Sequence, residues 1–169
     1  MIKPYLQWSP DIDTSAFIAE SADVIGRVKI GADSSIWYQS VLRGDVHDIE
    51  IGERSNIQDH CVLHTSSGVT PCIVGDDVTV GHRVLLHGCE IQHRCLIGMG
   101  SIIMDQAVLE EGCFLAAGSL VTERKILRGG YLYAGSPAKE RRELTQQEKD
   151  FLNRSASHYV EVAKHHING

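Results

Sequence analysis

Aliphatic residues recur every six positions along most of this chain, and a small residue follows four places after each. From Ile18 the units read IAESAD, VIGRVK, IGADSS, IWYQSV and LRGDVH, then, after an interruption, IGERSN and IQDHCV. LHTSSG follows with an insertion, and VGDDVT, VGHRVL, a shortened LHGCE, IQHRCL, IGMGSI, IMDQAV, LEEGCF, LAAGSL and VTERKI complete the series. Fixed self-similarity of this length marks a β-solenoid, in which each repeat buries its apolar face only by stacking on neighbours. The period changes near the end. Thr145-Gln146-Gln147-Glu148 forms a capping box, and Phe151, Leu152, Ser155, Tyr159, Val162 and Ala163 follow at helical spacing. The expected layout is an N-terminal segment over 1–17, a β-helix over 18–126, a connecting turn segment over 127–144 and a helix over 145–167.

A six-residue period of this kind resembles the hexapeptide repeat of left-handed parallel β-helices, in which three units make one triangular coil. The fold class expected is therefore all-β, a left-handed parallel β-helix with a C-terminal α-helix packed on it. Counting units, those opening at Leu42, Leu63 and Leu86 share a face, so Arg43, His64 and His87 stack at one edge. Successive coils lie roughly 5 Å apart. His82 sits in the third place of the unit at Val80, above Asp59 and beside Gln58, on a different edge. Two histidines on one edge and a third on another meet when subunits pack side by side about a threefold axis. The count therefore predicts a site between subunits, with His64 and His87 from one chain and His82 from its neighbour. Three neutral imidazoles with an open position are the ligand set that lets zinc bring the pKa of bound water to about 7.

Charge and cysteine usage narrow the classes further. A net charge of −6 argues against nucleic acid, whose phosphates need a basic face. No apolar run approaches a membrane span, and the N-terminus MIKPYLQW lacks a signal-peptide core. Five cysteines without a CxxC point to free thiols in a reducing cytoplasm. Cys61, Cys95 and Cys113 occupy the repeat's small position and Cys89 lies in the shortened unit, so these read as core fillers. Glu20, Asp23, Asp33, Glu53, Asp76 and Asp77 fall at corners, where they are expected to face solvent. Trp37 and Tyr38 are bulky for a corner and are expected to pack on the N-terminal segment or at a subunit interface.

The motifs LRGD (Leu42 to Asp45), NIQD (Asn56 to Asp59), VLHT (Val62 to Thr65) and VGH (Val80 to His82) are similar to those of the γ-class carbonic anhydrases and YrdA-like proteins. LHGC (Leu86 to Cys89), IGMGS (Ile97 to Ser101) and AGSPAK (Ala134 to Lys139) extend the resemblance. It implies a homotrimer with zinc, or ferrous iron or cobalt, at its interfaces. The implied reaction is reversible hydration of carbon dioxide to bicarbonate by metal-bound hydroxide. On the matching positions, His64, His82 and His87 become the metal ligands. Arg43 and Asp45 become an interface ion pair, with Asp59 as the partner of Arg43 across the boundary. Gln58 becomes the residue that orients hydroxide, and Asn56 lies in the same pocket. Tyr159 on the terminal helix either binds or gates there, as an aromatic does in some relatives, or simply packs.

One departure bears on rate. Val46 and Ser67 stand where the family's best-studied members carry acidic residues for proton transfer, and the loop Thr65 to Cys72 has no carboxylate. Two rivals follow: a metal-binding relative with little hydration activity, and a hexapeptide acyltransferase that uses coenzyme A and a histidine base.

Overall fold

Two-residue strands separated by corners repeat down the chain, because every second aliphatic side chain must point into a narrow prism. The computed structural model describes residues 1–168. Asn56–Ile57, Thr79–Val80, Leu96–Ile97 and Phe114–Leu115 pair in parallel on one face. The second residue of each strand, Ile57, Val80, Ile97 and Leu115, is fully enclosed. A second face stacks Val62–His64, Leu85–His87, Ile102–Ile103 and Leu120–Val121, and a third stacks Cys72–Val74, Glu90–Ile91, Val108–Leu109 and Ile126–Leu127. The core is thus one continuous column in which each enclosed aliphatic side chain contributes about 1.5–3 kcal/mol. The architecture is the parallel β-helix with a terminal helix that the period predicts.

The interruption after LRGDVH is not a break in the sheet. Val41–Ile51 is one eleven-residue strand and runs beside the eight-residue strand Asp23–Ile30. They pair Gly26 with Gly44 and then shift register. A Cβ at Gly26 would meet the Gly44 carbonyl oxygen at 2.6 Å, so two glycines let the backbones pass where a corner would otherwise form. These strands join the second and third faces into one sheet. Ile2–Lys3 and Asp11–Ile12 both pair in parallel with Asp23–Ile30, so the N-terminal segment extends that sheet.

At the other end Tyr131–Ala134 adds in parallel to Phe114–Leu115 and turns back antiparallel as Lys139–Glu143. The helix Gln146–Asn168 then returns over the first face. Its start is the expected capping box: Glu148 N–H donates to Thr145 Oγ1 at 3.3 Å and Thr145 N–H donates to Glu148 Oε2 at 2.9 Å. Leu152, Ala156 and Ala163 are buried on the face turned to the strands. Trp37 and Tyr38 pack on Phe17 and on this helix: the Trp37 ring lies 5.8 Å from Tyr159 and 5.0 Å from His166, and Tyr38 Oη is 3.0 Å from His166 Nδ1.

The corner carboxylates do more than face water. Arg54 grips Asp77 on the next coil through Nε at 2.8 Å and Nη2 at 3.0 Å. Asp76 accepts the Glu53 backbone N–H at 2.8 Å, and Asp23 pairs with the N-terminal ammonium. Stacking brings equivalent corners of adjacent coils together, a contact that unit counting alone does not reveal.

All five cysteines are unpaired and buried, Cys72 included. Burial pushes the Cys61 and Cys95 thiols up to about 12 and that of Cys113 higher still. A contact with Cys72, together with burial, raises Cys89 as well. Since only the thiolate is nucleophilic, native protein at pH 8 is expected to resist iodoacetamide at these positions and to alkylate fully once unfolded. Mass spectrometry of native and denatured samples checks this, and rapid native labelling of a core cysteine would contradict it.

Candidate metal centre

His64 and His87 end strands on the same face, directly in register. Leu63 and Leu86 point inward and are fully buried, so strand alternation turns both imidazoles outward at one edge. His64 Nδ1 and His87 Nε2 stand 3.2 Å apart. Leu42 pairs with Leu63 one coil earlier, which sets Arg43 at the head of the same stack.

Each ring is held from outside by a carboxylate. Asp45 Oδ1 accepts from His64 Nε2 at 3.0 Å, while its other oxygen takes a close ion pair from Arg43. Burial works against the Asp45 charge, but the bonds from Arg43 and His64 outweigh it and hold the carboxyl below its ordinary range. Asp105 Oδ1 accepts from His87 Nδ1 at 2.9 Å. A carboxylate only accepts, and a neutral imidazole carries one ring hydrogen. The two facing nitrogens therefore both present lone pairs, which repel at this distance unless a cation or proton lies between them. Nitrogens bound to one zinc at about 2.0–2.1 Å in tetrahedral geometry stand about 3.3 Å apart, so this donor pair fits such an ion.

His82 lies elsewhere. Thr79–Val80 pairs with Asn56–Ile57, and two residues further on His82 Nδ1 meets Asp59 Oδ2 at 2.8 Å. Its side chain is 46% exposed. Within the chain Asp59 thus pairs with His82, and Arg43 with Asp45. Among the described residues of one chain, no three His, Cys, Asp or Glu side chains converge on a metal position.

Beside His82 a relay of buried amides and hydroxyls leads to the terminal helix. Gln58 Nε2 donates to Asn56 Oδ1 at 3.1 Å, and Asn56 Nδ2 donates to Thr79 Oγ1 at 3.0 Å. Thr79 Oγ1 is also 2.8 Å from Ser155 Oγ, a hydroxyl pair in which either can donate. Among the described residues nothing donates to Gln58 Oε1, so the relay presents it as an acceptor. Gln58 lines a cavity of about 180 Å³ with Thr79, Met99, Phe151, Ser155 and Tyr159. Burial and the Asp59 charge raise the Tyr159 hydroxyl above its usual pKa. Thr79, Ser155 and Asp105 escaped sequence reading. Ser155 carried a signal, as a small polar residue on the helix's apolar stripe, whereas Asp105 looks like any corner acid.

The face between the two histidine edges is unusual. Its outward residues, in register coil by coil, are Val41, Val62, Leu85, Ile102 and Leu120, all aliphatic. Val62 and Ile102 are 41% and 43% exposed. The third face instead interleaves acids with its aliphatics, in the order Glu50, Ile73, Glu90, Val108 and Ile126.

Coil stacking, edge histidines and a bare aliphatic face define a hexapeptide-repeat protein with histidines on two separate edges. A carbonic anhydrase of Geobacillus kaustophilus is 51% identical over 98% of this chain and 91% of its own length. Protein YrdA of Escherichia coli is 46% identical over 95% of this chain and 90% of its own. The mitochondrial gamma carbonic anhydrase 2 of Arabidopsis thaliana is 43% identical over 95% of this chain, which spans 59% of that relative. A solved Bacillus cereus protein, provisionally named an acetyltransferase, superimposes with a TM-score of 0.96 at 47% identity, covering 98% of this chain and 95% of its own. No family model matches the chain. The chain belongs to the γ-carbonic anhydrase family, together with its YrdA-like members.

Proposed function

We propose that this protein is a metal-dependent carbonic anhydrase that hydrates carbon dioxide reversibly at sites shared between the subunits of a homotrimer. The observation that carries this reading is the facing pair His64 Nδ1 and His87 Nε2, 3.2 Å apart on one edge, with His82 on another. His64 and His87 of one subunit and the partner subunit's His82 would hold zinc, or ferrous iron or cobalt. The bound ion would supply the Lewis acidity that brings the ionisation of water to near neutral pH. Gln58 offers its amide oxygen as an acceptor beside His82, with its orientation fixed by Asn56 and Thr79. Phe151, Met99 and Tyr159 give the adjoining cavity an apolar lining. Asp45 holds both Arg43 and His64, so the ion pair at the boundary also steers a ligand. Unpaired buried thiols suit a reducing compartment, and the cytoplasm is proposed.

Stopped-flow hydration on anaerobically purified protein, with metal counted in the same sample, tests this. Activity in proportion to metal and rising with pH is expected. Because Val46 and Ser67 offer no carboxylate to carry the proton away, higher buffer concentration is expected to raise kcat. The same departure favours the second reading, a metal-binding relative with slow hydration, which silence at one metal per subunit would support. Saturable acyl-coenzyme A binding would point to the transferase instead.

A further inference from the structure

His87 has a partner that the repeat count does not supply. Leu85–His87 pairs with Ile102–Ile103, and two residues beyond each strand's inward residue stand Gly88 and Asp105. Asp105 turns its carboxylate back over Gly88 to reach His87 Nδ1 at 2.9 Å with Oδ1. Its second oxygen accepts from Ser66 Oγ at 3.2 Å, out of the inserted loop. A Cβ on Gly88 would lie 2.2 Å from Asp105 Oδ1, and Gly88 has φ +51°, so a side chain there is excluded twice over. The Asp105 backbone is itself fixed, its carbonyl accepting from Arg124 N–H at 3.0 Å. The carboxylate on this ring nitrogen is therefore braced by a hydroxyl from the inserted loop and admitted by the missing side chain at Gly88.

The chemical consequence lies in the tautomer. An ionised carboxylate can only accept, so it holds the ring hydrogen on Nδ1 and leaves the lone pair on Nε2. That nitrogen is the one facing His64. Without the carboxylate, neutral His87 would divide between tautomers and its ring would turn more freely. Outer partners of this kind fix ligand orientation and raise ligand basicity. Ser66 satisfies the second oxygen and so anchors the carboxylate beside the ring.

We propose that Asp105 is the positioning residue for His87, with Ser66 as its anchor and Gly88 as the gap that admits it. This rests on the reading of His87 as a metal ligand. The test uses the full trimeric chain, metal-free, titrated with zinc against a chromophoric chelator. Asp105→Ala is expected to weaken zinc binding roughly 10- to 100-fold and Ser66→Ala by less, with oligomeric state and melting curve close to the parent. Nitrogen-15 spectra of the metal-free protein should show His87 hydrogen on Nδ1 in the parent and a tautomer mixture in Asp105→Ala, a change that a merely structural role would not produce. Should Asp105→Ala fail to fold, Ser66→Ala and Asp105→Asn carry the same two readouts. Unchanged affinity and tautomer in the Asp105 variants, beside lost binding in His87→Ala, would overturn the role of Asp105 alone. Unchanged binding in His87→Ala would instead overturn the ligand assignment beneath it.

Discussion

On the proposed shared site, His82→Ala is expected to lose stoichiometric metal while the proposed trimer stays folded. The side chain is nearly half exposed, and among the described residues its hydrogen-bond partner is Asp59. An exposed polar contact of this kind contributes about 0–1 kcal/mol, so the fold should survive. Binding is another matter. Removing an outer partner of a ligand typically costs 10- to 100-fold in affinity, and removing a ligand itself is expected to exceed roughly 100-fold. Hydration activity should fall with it. Elemental analysis of protein sized by light scattering reads both quantities at once. Wild-type metal content in a His82→Ala trimer would sink the shared-site assignment, because His64 and His87 would then be binding without help from the neighbouring edge.

The second large effect concerns the aliphatic ladder. Ile102→Glu is expected to turn the proposed trimer into monomers that keep the β-helix and no longer bind metal. Ile102 points away from the core while Ile103 beside it is fully buried, so the substitution leaves the column intact. Contiguous exposed apolar surface in register marks an association face. This face lies between the edge carrying His64 and His87 and the edge carrying His82, where a threefold axis would bring the two edges of neighbouring chains together. Cyclic symmetry would bury three carboxylates at once, each at an effective penalty of several kcal/mol. Light scattering and circular dichroism check the outcome together. A metal-loaded Ile102→Glu trimer would show that another face holds the subunits.

Much of the centre was legible before any coordinate because a solenoid is nearly one-dimensional. Each coil contacts only the coils next to it, so counting units was enough to set His87 on His64 and His82 on Asp59. The capping box was equally readable, since both of its partners lie within four residues. What escaped were contacts that skip the ladder. The bond from Ser155 to Thr79 spans 76 positions, and nothing in the repeat says where along the faces the helix docks. Asp105 reaches His87 only because the loop after Thr65 places Ser66 beside it and Gly88 leaves room. The strand Val41–Ile51 crosses an apparent gap because two glycines face each other on neighbouring coils.

By itself, then, the sequence determined the coil, the inward column of aliphatic residues, the free thiols and the edge on which each histidine stands. All of these follow from a fixed period and from nearest-neighbour stacking. Only the tertiary structure decided that Asp45 holds the His64 ring and Asp105 the His87 ring, how the terminal helix fixes the amide of Gln58, and that one bare aliphatic face lies between the two histidine edges. Those depend on side-chain reach across insertions and between elements distant along the chain, which no local period encodes.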